Sequence, residues 1–481
     1  MTSLAELTRL TAREAVSLLR RRAVSPLEML EASIARIGAV DGRVNALPVR
    51  CFERAREAAA RMDATGGPDG GHPGFLAGLP IAIKDIDDLA GVVTTYGCPL
   101  YADNEAKQSD PVVRRLEGRG AVVVAKSNTP ELGMLPVTDN RLFGPTRNPY
   151  DLSRTPGGSS GGASAALASG QVWLAHGTDI GGSLRIPAAF SGVVGFRPSP
   201  GVVPRAPHRR MFNPLAVEGP MARTVGDAAL FLDAMAGLWP ADPLTVPEPA
   251  VSYQAAVDRA RVPFRIAFSP DLGLGGVDPE VAEIVQGAVL KLERAGARVE
   301  VCRPGYAGVE RAYRIIVAFT FLTQRGEFVE RNRDRLEPHL SDLFDAAKGY
   351  SFDDLLWAER WRADHFNVLA EFLATNELLV TPTLGVAAFG LNRRGPAATE
   401  VDGWMREGPP AWFHQCWATT LAGCPVLSVP CGFTRAGLPV GLQILGPPRS
   451  DAQVLAAGAV VESLVDCGTR VPIDPREPVV V

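Results

Sequence analysis

Lys84, Ser159 and Ser183 have a residue type and a setting that could do covalent chemistry. The stretch 155–199, TPGGSSGGASAALASGQVWLAHGTDIGGSLRIPAAFSGVVGFRPS, holds both serines, each inside a glycine cluster. Glycine has no Cβ, so backbone N–H groups can converge there on one point. Convergent N–H groups beside a hydroxyl suit acyl transfer, in which an oxyanion forms next to the nucleophile. Around Ser183, the amides of Ile180, Gly181, Gly182 and Ser183 could form such a hole. A glycine-rich turn with a bystander serine reads the same way. Ser159 lies in Gly157-Gly158-Ser159-Ser160-Gly161, which fits the GxSxG elbow of α/β hydrolases. That elbow needs a strand directly before it, and SRTPGG is no strand. No GK[ST] follows the glycines, which argues against a phosphate loop. Lys84 ends the apolar run LPIAIKD. A lysine at a strand end is ordinarily a surface residue. A desolvated one would have a depressed pKa and serve as a neutral base near pH 7.

These residues need a large scaffold, and the composition supplies one. Hydrophobic residues make up 46% of the 481. No apolar run reaches the roughly 18 residues of a membrane span. A net charge of −4 lacks the basic footprint of a nucleic-acid binder. The N-terminus is an amphipathic helix pattern rather than a signal peptide. Seven cysteines with no CxxC fit unpaired thiols in a reducing cytoplasm. The six histidines are scattered, with no HExxH, so a protein metal site is not expected.

Along the chain, 1–65 reads as a helical segment packed on the core. Ser25, Pro26 and Glu28 start one helix, and Leu27, Leu30, Ile34 and Ile37 recur along it. Residues 66–481 form the main unit. LPIAIKD, a helix over 109–118 and GAVVVAKSN (120–128) make a βαβ unit. ASAALASG (163–170) is a helix closed by Gly170, and GVVGFRPS (192–199) is a strand and loop. VGDAALFLDAMAGL (225–238) is helical, and 240–262 is a surface excursion. FRIAFSPD, the helix 277–296 and RVEVC make a second βαβ unit. A helical insertion beside the substrate pocket runs from about 305 to 417. LLVTPT, PVLSVPCGF and LPVGLQILG are core strands, and a helix over 450–466 closes the chain. The expected fold is α/β, a mixed twisted sheet covered by helices on both faces.

Lys84 in GLPIAIKD, GGSSGG around Ser159 and GTDIGGSLRIPAAFSGVVGFRPS around Ser183 resemble the amidase signature family. Lys84 precedes Ser159 by 75 positions, and Ser159 precedes Ser183 by 24. TRNPYD (146–151) and PVGLQILGP (439–447) extend the resemblance over nearly the whole chain. It implies an amidase that needs no cofactor. Ser183 would be the nucleophile, Ser159 the proton relay after a cis peptide, and Lys84 the terminal base. Ile180, Gly181, Gly182 and Ser183 would supply the oxyanion hole, and Gly133 and Met134 would line the acyl site. Asp179 and Arg185 would hold the loop, and Ser160 would support the network. Trp357 and Trp361 are spaced for helix packing. The segment 403–417, with Trp404, Trp412 and Trp417, reads equally as a lid or as core; as a lid it would favour apolar or aryl amides, with esters and carbamates as side substrates. Cys416 and Cys424 read as buried thiols. The partner is a small-molecule amide. An apolar helix pair in 1–65 offers a surface for a homodimer. The family also contains the catalytic subunit of glutamine-dependent transamidases, which is the alternative. A histidine-dependent hydrolase built on Ser159, or a catalytically dead relative, remain as further readings.

Overall fold

The computed structural model describes residues 3–65, 71–205, 212–263, 265–391, 411–467 and 471–478. Its strands are β1 (Val49–Arg50), β2 (Pro80–Lys84), β3 (Val122–Ser127), β4 (Leu174–Asp179), β5 (Val194–Arg197) and β6 (Val217–Ala222). They continue with β7 (Arg265–Phe268), β8 (Arg298–Val301), β9 (Leu378–Pro382), β10 (Val426–Phe433) and β11 (Pro439–Leu445). They form one sheet in the order β1-β3-β2-β4-β6-β5-β10-β11-β9-β7-β8. β2 runs parallel to both β3 and β4, and β7 runs parallel to β8 and β9. The remaining pairs are antiparallel. Both βαβ units read from the sequence are present, with crossover helices Pro111–Gly118 and Pro279–Arg294.

Side chains alternate across a strand, and that alternation separates the two covered faces. Ile81, Ile83, Val123, Leu174 and Leu427 join one core with helices Ala12–Arg20, Val225–Met235 and Asp451–Val465. Their neighbours Ala82, Val122, Val124 and Ala175 join another with helices Pro26–Val44 and Gly161–Ala168. At the far end of the sheet, Leu379, Val426 and Leu445 pack against helix Val309–Asn332. Helices therefore cover both faces, as expected.

The N-terminal helices use their apolar faces inside the chain. Leu7, Ala12, Ala15, Val16 and Leu19 enter the first core, and Leu30, Ile37 and Val44 the second. Leu27, read as part of the buried stripe, is instead exposed, as is Leu4. The Ser25 side chain and Glu28 form a reciprocal capping box with Pro26 at the first turn. Among the described residues, no helix is long and apolar enough to cross a membrane.

Three strands escaped the sequence reading, β1, β4 and β6. β4 brings Thr178 and Asp179 to its carboxyl end beside Lys84, at the carboxyl end of β2. The carboxyl ends of parallel strands are where α/β sheets place ligands.

Candidate active site

Lys84 is fully buried, an uncommon position for a lysine. Its Nζ donates to Ser159 Oγ at 2.7 Å and to Thr178 Oγ1 at 3.0 Å. No carboxylate lies within ion-pair distance among the described residues. Burial pushes the ammonium down to about 7, only partly offset by the charges of Glu218, Asp87 and Asp179. The lysine is thus poised between its two protonation states near neutrality.

Ser159 follows a cis peptide bond from Gly158 and comes out of irregular backbone, not a strand. A Cβ on Gly158 would lie 2.8 Å from the Val137 carbonyl carbon, so only glycine fits there. The Ser160 N–H donates to the Ser183 carbonyl at 3.2 Å, tying the two serine loops together. The Ser160 hydroxyl faces the Thr178 backbone N–H at 3.4 Å.

Ser183 lies in the turn between β4 and helix Arg185–Ser191, with Ser183 and Ser159 both on one cavity of about 380 Å³. No hydrogen bond joins the two hydroxyls among the described residues; catalytic hydrogen bonds are often loose without substrate. The turn is held from behind by Asp179. Its carboxylate accepts from Arg185 Nε and Nη2, each at 3.0 Å, and from Gly182 N–H at 2.9 Å. Arg197 adds a bond to the Asp179 carbonyl at 2.6 Å. Burial pushes this carboxyl upward, but the two guanidiniums and the loop hydrogen bonds overcome it and hold it down to about 2. Arg185 is anchored in turn by Thr419, Thr420 and Gln443.

The expectation for Gly182 needs correction. Its N–H is engaged by Asp179, so it closes the turn instead of opening onto the cavity. The N–H groups of Ile180, Gly181 and Ser183 have no hydrogen-bond partner among the described residues. Gly181 has a separate reason to be glycine: a Cβ there would sit 2.0 Å from Tyr313 Oη. Gly133 and Met134 line the cavity, and a Cβ on Gly133 would be 3.7 Å from Ser159 Oγ.

Helix Val309–Asn332 forms the opposite wall. Val317, Thr320, Phe321, Gln324 and Arg325 reach the cavity at helical spacing. Trp412 and Trp417 do not line it. Trp412 stacks on Phe190 and Trp417 on Tyr313, both buried. The described part of 403–417 is therefore core; Trp404 and residues 403–410 lie outside the described residues. Trp361 donates to the Ala307 carbonyl and Trp357 packs under Arg311, so neither enters the cavity. Burial drives the Cys416 and Cys424 thiols up to about 12, away from reactivity.

Sequence reasoning missed Thr178, Arg197 and Tyr313. It also missed the cluster of Asp87, His176 and Glu218, of which Asp87 and Glu218 border the cavity, with His176 Nε2 2.9 Å from Glu218 Oε2. Only Arg197 left a signal, a charge inside the apolar run GVVGFRPS. No described histidine borders the cavity, and His208 lies outside the described residues.

A serine in a turn with open amides, near a second serine bonded to a buried lysine, has the parts for acyl transfer without histidine. The comparisons with known proteins place this class. The amidase family model matches residues 28–455. The acylamidase of Rhodococcus erythropolis is 36% identical over 467 residues, covering 97% of each chain. The A subunit of the glutamyl-tRNA(Gln) amidotransferase of Moorella thermoacetica is 36% identical over 498 residues, covering 97% of this chain and 99% of that one. A crystal structure of a bacterial aryl acylamidase superposes with a TM-score of 0.87 at 29% identity, covering 96% and 99%. The chain belongs to the amidase signature family, whose fold it shares, and is a hydrolase acting on amide C–N bonds.

Proposed function

We propose that the protein hydrolyses carboxylic amides through an acyl-enzyme on Ser183. The observation that carries this is the 2.7 Å contact between Lys84 Nζ and Ser159 Oγ in a site that gives the lysine no carboxylate. Neutral Lys84 takes the Ser159 hydroxyl proton while Ser159 takes that of Ser183. Ser183 Oγ then bonds to the carbonyl carbon, and the oxyanion is held by the Ile180, Gly181 and Ser183 amides. As the C–N bond breaks, Lys84 returns the proton through Ser159 to the leaving nitrogen. Water, deprotonated along the same path, then releases the acid. The roles of Asp179, Arg185, Arg197 and Gly182 are to fix the turn, and Ser160 couples it to Ser159.

The wall of Tyr96, Leu132, Met134, Val317 and Phe321 suits an apolar or aryl substrate body. The likeness to acylamidases supports the same reading. Esters and carbamates that fit would form the same acyl-enzyme. Seven free cysteines suit a reducing, cytoplasmic setting. Ser183→Ala and Lys84→Ala are each expected to abolish hydrolysis of an aryl acylamide. A serine-directed fluorophosphonate should label Ser183; labelling at Ser159, or retained activity in either variant, would overturn the mechanism.

The equal likeness to the A subunit of an amidotransferase supports a second reading, glutamine hydrolysis feeding ammonia to a partner. Glutaminase activity that appears only with a copurifying partner protein, and no turnover of aryl acylamides alone, would select it.

A further inference from the structure

The cavity has a second wall that amide hydrolysis does not use, made by Asp87, Asp88, Asp110 and Glu218. Three cations stand near it, and none reaches Asp87 or Asp88. Arg205 Nε pairs with Glu218 Oε1 at 3.2 Å. Arg325 lies over the Tyr96 ring at 5.1 Å. Lys84 is bonded to Ser159 and Thr178. Two of the acids are also engaged. Glu218 takes His176 as well as Arg205, and Asp110 accepts the Asp88 N–H at 2.8 Å.

Asp87 and Asp88 are left over. No donor reaches either side-chain carboxylate among the described residues, although Asp87 is only 4% exposed. Asp87 Oδ2 faces His176 Nδ1 at 3.8 Å, beyond hydrogen-bond distance. Buried carboxylates are normally paired or hydrogen-bonded, because desolvating an unpaired charge is costly. Burial, together with the charges of Glu218 and Asp110, drives the Asp87 carboxyl well above the usual range, and Asp110 rises to about 6. The partners on this wall, Arg205 and His176, both bond Glu218, and Asp87 and Asp88 are left without a hydrogen-bond donor among the described residues. A metal ion suits it less well, since His176 Nε2 and Glu218 Oε2 bond each other while Asp87 and Asp88 border the cavity.

We propose that Asp87 and Asp88 recognise a positively charged group, an ammonium or guanidinium, on the body of the amide substrate. This rests on the amide-hydrolase reading of the same cavity. The apolar wall would hold the substrate's hydrocarbon part and the acidic wall its charge, with the amide at Ser183. Such a pairing supplies the donor that Asp87 and Asp88 lack, inside a site where water screens little.

The test is a binding measurement on the Ser183→Ala protein by calorimetry. The ligands are primary amides with chains of three to six methylenes ending in ammonium, methyl or carboxylate. A second series places the same end groups on the amine side of acetamides. The ammonium ligand is expected to bind about tenfold or more tightly than its methyl isostere at one length or more. Asp87→Asn and Asp88→Asn should each bring that ratio towards one. Because the ratio is taken within each variant, a reduced folded fraction does not mimic the result. Equal binding of ammonium and methyl at every length, tightest binding of the carboxylate, or an unchanged ratio in both variants would overturn the proposal. Binding to the Ser183→Ala protein needs no turnover. The wild-type hydrolysis assay therefore reports on the catalytic reading separately.

Discussion

Lys84→Met should inactivate the protein and, below neutrality, stabilise it. Methionine keeps much of the stem volume and removes the charge. The buried ammonium titrates near 7 instead of its ordinary 10.5. That difference of 3.5 units, at about 1.36 kcal/mol each, makes charging the folded-state lysine cost roughly 5 kcal/mol. The folded pKa lies below the unfolded one, so the unfolded chain binds more protons between pH 7 and 10.5, and stability rises with pH across that window. At pH 6 both states are protonated and the folded protein bears nearly the whole cost. At pH 9 it bears roughly 2 kcal/mol, and near pH 11 almost none. The substitution also leaves the Ser159 and Thr178 hydroxyls without their lysine partner, at about 1–3 kcal/mol in total. That loss does not depend on pH. Urea unfolding of wild type and variant at pH 6 and pH 9 isolates the charge contribution, because the pH-independent part cancels. The variant's advantage should be about 3 kcal/mol larger at pH 6 than at pH 9. A difference that does not change with pH would refute the picture of a desolvated lysine, whatever the activity of the variant.

The same titration should govern catalysis: kcat/KM for a neutral amide should rise with pH along a limb centred near 7, losing about tenfold per unit below it. A limb near 10 would mean that the lysine is solvated. Asp179→Asn leaves Arg185 and Arg197 as buried cations without their carboxylate, and should destabilise by about 3–5 kcal/mol in urea unfolding. Gly181→Ala drives a methyl into Tyr313 Oη and should lower kcat/KM by about a hundredfold through displacement of the turn. Tyr313→Phe in that background removes the clashing oxygen and should restore much of the loss; no recovery would locate the damage elsewhere. Ser25→Ala breaks the capping box and should cost about 1 kcal/mol with activity unchanged.

The strands legible in the sequence were those with apolar runs, β2, β3, β5 and β7 to β11. β4 reads LAHGTD, in which the histidine, glycine and threonine break any run or alternation. β6 reads VEGPMA, and an internal Gly-Pro argues against a strand. Its proline is tolerated because the β5 ladder reaches only Met221 and Ala222, while Pro220 lies opposite His176 on the β4 side. These two strands carry Thr178, Asp179, His176 and Glu218. Three of the residues that escaped the sequence, Thr178, His176 and Glu218, are therefore ones the hidden strands bring in. The glycine-rich loops announced themselves because their backbone demands are written in residue type. Contacts such as Tyr313 on Gly181 join residues 132 positions apart in sequence, and no local pattern records them.

Two lysines on neighbouring strands show why position alone does not make a base. Lys126 on β3 is as buried as Lys84 on β2, and register sets Ile83 opposite Lys126 and Lys84 opposite Ser127. Lys126 Nζ lies 3.0 Å from Asp85 Oδ1 and also bonds Thr94. Lys126 is thus held in a closed ion pair, its donors spent on partners other than a catalytic hydroxyl. Asp85 follows Lys84 directly, yet its carboxylate goes to Lys126 and Thr95. Successive side chains of an extended chain point to opposite sides, so the aspartate that neutralises Lys126 is turned away from Lys84. The Lys84-Asp85 pair thus does two jobs at once: the acid completes a structural ion pair under β3, and the lysine is left facing Ser159 and Thr178 with hydroxyls alone. Moving that carboxylate to the other face, as in Thr178→Asp, would give Lys84 its own counterion. The acid limb of kcat/KM should then move upward from 7, and activity at neutral pH should fall with the fraction of neutral lysine. A limb that stays at 7 in such a variant would show that Lys84 does not set it.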